Sequence, residues 1–168
     1  TGLNFDLTAT GTSAPTILEF HNVTFSGASI YKAASGGDGL DWRFGVCFGD
    51  LTVNGGSSNF LISVTCFSSL IIGSGPSGVY TGFNLISALV GGNVTVVSNN
   101  GSDTYVQFYA CNISGNLTQT QTSGILTVVV DVASYPAGTL SVVSGTFSRQ
   151  TYAAARGFTP TTPGDWTT

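Results

Sequence analysis

The chain has 168 residues, 42% of them apolar and only 7% charged, with a formal net charge of -4 and a pI near 4.4. That length fits one domain with a real core, and the apolar content excludes an intrinsically disordered chain. Its four basic residues, Lys32, Arg43, Arg149 and Arg156, are scattered, which excludes a counterion-displacing nucleic-acid groove or an anionic membrane surface as the main partner.

No apolar run approaches the ~20 residues that a membrane-spanning helix requires. Glu19 is the only Glu, Lys32 the only Lys, and there is no Met. Helix surfaces therefore lack their usual residues, whereas Thr, Val and aromatics suit strands.

In chain order, residues 3 to 10 come first. Leu3, Phe5, Leu7 and Ala9 alternate with Asn4, Asp6, Thr8 and Thr10, the pattern of an amphipathic strand. Gly11-Thr12-Ser13-Ala14-Pro15 then breaks it and forms a hinge. Two readings stand: an ordinary first strand of the chain's own sheet, or a donor strand that completes the sheet of a neighbouring subunit.

Ile17–Phe25 reads as the next strand, with the only His (His21) on one face and Asn22 in its middle. Gly36-Gly37-Asp38-Gly39-Leu40-Asp41 matches one unit of a calcium-binding nonapeptide, but a single copy with Arg43 at an apolar position reads as a Gly-rich turn. Leu40–Phe48 alternates Leu40, Trp42, Phe44, Val46 and Phe48 with smaller or polar residues, so one face should be buried.

Asn59–Phe67 is apolar on both faces. A hairpin about Gly55-Gly56-Ser57-Ser58 would pair these two segments and set Cys47 opposite Cys66, the expected disulfide, leaving Cys111 over. The competing expectation is three buried free cysteines.

Further strands are expected at Val79–Ile86, Val94–Ser98, Tyr105–Cys111, Ile125–Val132 and Leu140–Phe147, separated by Gly-, Asn- and Pro-bearing turns. Tyr152–Arg156 could make one helical turn. Gly157–Thr168, with Pro160, Pro163 and Trp166, reads as an extended strap. No internal repeat is evident. The expected architecture is an antiparallel β-sandwich, immunoglobulin-like or jelly-roll-like, with residues 1–15 as a separate N-terminal strand and hinge and residues 16–168 as the sandwich body.

Five Asn-X-Ser/Thr sequons occur, at Asn22, Asn93, Asn100, Asn112 and Asn116, each a possible carrier of N-linked glycan. The chain opens on Thr1 without Met, as it would after removal of a leader, so an extracellular, cell-surface location is expected. Catalytic groups are sparse. Asp6, Glu19, Asp38, Asp41, Asp50, Asp103, Asp131 and Asp165 are dispersed, and His21 has no partner signature, so no enzyme, metal site or cofactor is expected beyond glycans. Tyr31, Tyr80, Tyr105 and Tyr109 could line a surface, but core or rim roles are the favoured reading.

The opening Thr1-Gly2-Leu3-Asn4-Phe5-Asp6-Leu7-Thr8, followed by a Thr-, Val-, Gly- and Asn-rich body with sequons, resembles archaeal donor-strand filament subunits of the thread and bundling-pilus type. The resemblance is one of layout and implies glycosylation and assembly by exchange of the N-terminal strand. It would give Leu3, Phe5 and Leu7 an assembly role. The functional expectation is a self-polymerising surface filament subunit. The alternatives are a protruding or receptor-binding domain of a virus particle and a carbohydrate-binding module.

Overall fold

The computed structural model describes residues 5–8, 17–34, 37–75, 80–99, 101, 103–131, 134 and 136–150. The chain is all-β, but every strand pairing is parallel. It winds into a β-solenoid of about five turns rather than an antiparallel β-sandwich.

Each rung contributes one strand to each of three sheets, A, B and C. Rung one is β1 (Phe5–Thr8), β2 (Ile17–His21) and β3 (Thr24–Phe25). Rung two is β4 (Ser29–Lys32), β5 (Gly39–Arg43) and β6 (Val46–Cys47). Rung three is β7 (Leu51–Asn54), β8 (Asn59–Ile62) and β9 (Thr65–Cys66). Rung four is β10 (Leu70–Gly73), β11 (Thr81–Ile86) and β12 (Leu89–Val90). Rung five is β13 (Val94–Ser98), β14 (Thr104–Tyr109) and β15 (Asn112–Ile113). Beyond it come β16 (Leu117–Gln121) and β17 (Leu126–Asp131), then β18 (Leu140–Val142) and β19 (Thr146–Gln150). Sheets A and B have seven strands each and sheet C has five.

The expected sandwich fails for a definite reason. Period-two alternation reports that one face is buried and is silent on the direction of neighbouring strands. Parallel sheets are commonly covered on both faces and read as continuous apolar runs. Here the outer faces meet solvent, so the alternation resembles that of an antiparallel sheet.

The expected hairpin between Leu40–Phe48 and Asn59–Phe67 is likewise absent. Each segment is cut in two at a left-handed residue and contributes to sheets B and C. The two segments lie parallel in register, with Trp42 beside Leu61 and Cys47 beside Cys66.

That left-handed residue recurs at every described corner between sheets B and C: Asn22, Phe44, Ser63, Ser87 and Ala110 have φ of 51 to 56°. Such a conformation costs roughly 1–2 kcal/mol for a residue with a Cβ. Backbone bonds hold it in place. The amides of Asn22, Phe44, Ser63 and Ser87 donate to the carbonyls of Arg43, Ile62, Ile86 and Tyr109 on the next rung, at 2.8–3.0 Å.

At the following position Gly45 makes room for a core ring, since a Cβ there would collide with the Trp42 indole. The expectation of a buried Trp42 holds, as its side chain is fully enclosed.

The core is built of columns of inward side chains. Phe20, Trp42, Leu61, Leu85, Phe108 and Val130 stack along sheet B. Tyr31, Val53, Ile72, Val96 and Gln119 stack along sheet A. Phe25, Cys47, Cys66, Val90 and Ile113 stack along sheet C. Phe20, Phe25 and Trp42 meet edge to face near the first rung, with centroids 4.8–6.5 Å apart. Burying each such large side chain contributes roughly 1.5–3 kcal/mol.

Among the buried polar residues, Asn59 and Gln119 link separate segments across the interior. Asn59 is fully buried; its amide donates to the carbonyls of Gly55, Gly56 and Gly82, and its Oδ1 accepts from Leu40 N–H. Gln119 donates to the carbonyls of Ser144 and Thr146, tying sheet A to the turn that leads into β19.

Candidate functional site

The residues proposed to form a donor strand fall at the start of the solenoid. Phe5 and Leu7 lie in β1, whose backbone pairs in parallel with β4 of the same chain, Phe5 beside Ser29 and Leu7 beside Tyr31. Leu3 and Ala9 lie outside the described residues. So do Asn100, the Tyr152–Arg156 turn and the Gly157–Thr168 strap with Trp166.

The four described sequon asparagines border the narrow side of the solenoid formed by sheet C. Asn22, expected in mid-strand, instead occupies the exposed left-handed corner at its edge. Asn112 faces outward on β15. Asn93 and Asn116 sit one above the other where sheet C turns into sheet A. Asn93 Oδ1 accepts from Asn116 N–H at 2.9 Å, and Asn116 Oδ1 accepts from Thr139 N–H at 2.8 Å. This ladder uses only the side-chain oxygens and leaves Nδ2, the atom that would carry a glycan, outside these bonds.

All three cysteines are buried and unbonded. Cys47 and Cys66 are register partners in sheet C, so the expected apposition is present, but through parallel stacking rather than a hairpin. Each thiol donates to backbone carbonyls, Cys47 to Gly49 at 3.3 Å and Cys66 to Ser68 and Ser69 at 3.6 Å, and the two thiols lie beside each other. That contact pushes Cys47 down and Cys66 up from ordinary thiol values, so the pair holds one proton more tightly than the other. Cys111 sits at the corner position beyond Ala110, its thiol on the carbonyls of Leu85 and Tyr109, and burial pushes it up.

The acidic residues do not converge. Asp41 forms a two-pronged pair with Arg43 at 2.7 and 2.8 Å on sheet B, and that guanidinium holds its carboxyl below the usual range. Asp50 accepts from Ser68 Oγ–H and Ser69 N–H at the C-to-A corner, which lowers it.

Asp38 is buried and accepts from Ala34 N–H, while its carbonyl accepts from Ser57 N–H, so it links Ala34 to the next rung; Gly36 of the Gly-rich stretch lies outside the described residues. Asp131 accepts from Ala110 N–H and Ser134 Oγ–H. Among the described residues no three His, Cys, Asp or Glu side chains gather as a metal site would require. No described helix is long and apolar enough to cross a membrane.

The tyrosines divide. Tyr31 is an inner-column residue, and burial beside Asp38 pushes its phenol up to about 12. Tyr80, Tyr105 and Tyr109 lie together on the outer side of sheet B. Partial burial and the neighbouring Tyr105 push Tyr80 and Tyr109 up.

Sequence reasoning missed the cleft of about 340 Å³ where sheet A turns into sheet B. It is lined by Lys32, Ala33, Asn54, Gly73, Ser74, Gly75 and Asn99, residues that come together only through rung stacking.

It also missed an exposed aromatic pair. Phe48 and Phe67 stack with centroids 5.2 Å apart at the edge of sheet C. Their alternation with core residues reads as burial until the corners are known. A scan against protein-family models, a search of curated proteins and a search of solved structures each found no match to this chain.

Proposed function

We propose that the protein is an extracytoplasmic structural module that assembles with copies of itself, end on end along the solenoid axis. The observation that carries this reading is the character of the two ends. At one end β1, β2 and β3 are the last described strands of their sheets; at the other, β18 and β19 close sheets A and B, two rungs beyond β15, the last of sheet C. Among the described residues each end presents a strand edge whose backbone groups a further parallel strand would satisfy.

Apolar side chains are exposed at both ends: Ile17 at the first, Val142 and Val143 at the second. Because all strands run parallel, the first edge of one copy complements the last edge of another. Such a head-to-tail contact does not close on itself and extends into a fibre. The N-terminal strand keeps an assembly role in this reading. Phe5–Thr8 pairs with its own β4 on one side and offers its other side to a neighbour. The sequons ranged along sheet C support an extracellular setting, and Asn93 and Asn112 lie away from the first rung.

The test is deletion of residues 1–12. The full chain should form fibres visible by negative-stain microscopy. The truncated chain should keep its β circular dichroism and remain short by light scattering. A full-length chain that stays monodisperse and monomeric at high concentration would refute the proposal.

A further inference from the structure

We propose that the outer face of sheet B is a binding surface for a neutral, linear polysaccharide lying along the solenoid axis. The argument begins with register. Phe60, Asn84 and Gln107 form one outward file across β8, β11 and β14. Ile62, Ile86 and Tyr109 form a parallel file on one side of it. Gly82 and Tyr105 lie on the other. Tyr80, half-exposed at 48%, folds over Gly82, where an added Cβ would come within 3.2 Å of its ring. Adjacent rungs are about 4.8 Å apart, and alternate residues along a strand about 6.6 Å. The result is a shallow trough with tyrosine rings on its flanks and Phe60, Asn84 and Gln107 along its floor.

The chemistry of this trough selects its ligand. Aromatic faces offer apolar area to the C–H face of a pyranose ring, and Tyr keeps a polar tip for its hydroxyls. Gln107 donates to the Tyr105 hydroxyl at 2.8 Å, which fixes both side chains and leaves the Gln107 carbonyl oxygen for a ligand. Asn84 makes no side-chain hydrogen bond among the described residues, so its amide can serve a sugar hydroxyl.

Charge lies only at the margins. Asp41 and Arg43 neutralise each other on the rung before, and Asp131 is held by Ala110 and Ser134 on the rung after. An acidic polymer finds no cation in the trough, and a nucleic acid finds stacking but no phosphate partner. A neutral chain of stacked sugar units, each about as long as a rung, fits the repeat.

The test uses affinity electrophoresis and calorimetry with hydroxyethylcellulose, xylan, galactomannan, mixed-linkage glucan and, as the acidic comparison, polygalacturonate. At least one neutral polymer should retard the protein and polygalacturonate should not. Tyr105→Ala and Asn84→Ala should each weaken binding about ten-fold, the loss of one good contact. Thr95→Ala on the outer face of sheet A should leave it unchanged. Circular dichroism of each variant separates lost binding from lost fold, and Tyr105→Phe should retain most of the stacking. No retardation by any neutral polymer, equal retardation by polygalacturonate, or full binding by a folded Tyr105→Ala protein would each overturn the proposal. The truncation that tests assembly leaves this face intact, so the two proposals fail separately.

Discussion

Replacement of Asn59 by Ala should be among the most damaging single changes in the molecule. The residue is fully buried and joins three rungs: Leu40 on the rung before, Gly55 and Gly56 in its own turn, and Gly82 on the rung after, at 2.8–3.1 Å. Gly56 O keeps a second donor, Gly82 N–H at 3.0 Å. Leu40 N–H and Gly55 O lose their side-chain partner.

Each buried group left unpaired costs about 1–3 kcal/mol, so the total loss is about 3–5 kcal/mol. That is a large share of the roughly 5–15 kcal/mol that holds a domain folded. With a urea slope of about 2 kcal/mol/M, the unfolding midpoint should fall by about 1.5–2.5 M. Thr95→Ala, an outward change, should stay within about 0.5 kcal/mol.

Asn59→Asp adds a second signature. Its oxygen can still accept from Leu40, but the other oxygen meets three carbonyls, which raises the carboxyl above its unfolded value. Its stability should therefore be greatest at acid pH and be lost as pH rises. The reasoning fails if Asn59→Ala unfolds no earlier than Thr95→Ala.

Two further outcomes follow from single groups. Tyr31 is raised to about 12 in the fold against about 10 unfolded, so its contribution is full below pH 10 and is lost as pH climbs from 10 through 12; Tyr31→Phe should shift alkaline unfolding to higher pH, and an unchanged midpoint would contradict this. Cys47 and Cys66 lie in register on strands about 4.8 Å apart, within the span of a disulfide. Incubation with oxidised glutathione should remove two hydrogens from this pair alone and raise stability by about 3 kcal/mol, read by peptide mapping and urea unfolding; a bridge to Cys111 would contradict the stacking.

The sequence carried more of this fold than period-two alternation revealed. Residues 21–31, 43–53, 62–72, 86–96 and 109–119 are five copies of one eleven-residue unit. They read HNVTFSGASIY, RFGVCFGDLTV, ISVTCFSSLII, ISALVGGNVTV and YACNISGNLTQ. Each runs through the left-handed corner, the short sheet C strand and the sheet A strand. The repeat is hidden because its letters differ while its roles agree: Val23, Gly45, Val64, Ala88 and Cys111 share one position. It is hidden again because the turns from sheet A to sheet B vary in length, which destroys a fixed period.

Cys47 opposite Cys66 was reached by the wrong route: a hairpin pairs residues in opposite order and a parallel ladder in the same order, so the two agree at this one pair and differ at its neighbours. The tyrosine face was half legible. Tyr80, Tyr105 and Tyr109 gather on sheet B, but Tyr31, with the same local alternation, points into the core because sheet A presents its other parity inward.

The low charge itself changes meaning once the fold is known. Parallel in-register stacking places each outward side chain about 4.8 Å from its counterpart on the next rung. Like charges stacked at that distance repel by a few kcal/mol at a protein surface. Outward columns must therefore be neutral or mixed. Ile30, Thr52, Ile71, Thr95, Thr118 and Ser141 form such a column on sheet A.

Where charges occur, their register neighbours differ. Arg43 stands between His21 and Ile62, Lys32 beside Asn54, and Asp131 between Tyr109's file and Gln150. Glu19 beside Asp41 is the exception, and Arg43 lies close enough to be influenced by both. At the C-to-A corner the polar ladder of Asn93 and Asn116 binds rung to rung with amides that can stack without repulsion. Neutral columns are one way to meet this constraint, so a charge content of 7% fits a stacked solenoid and is not by itself evidence of any compartment. The case for an extracellular setting then rests on the sequons ranged along sheet C, whose glycans would solvate a surface that carries few charges.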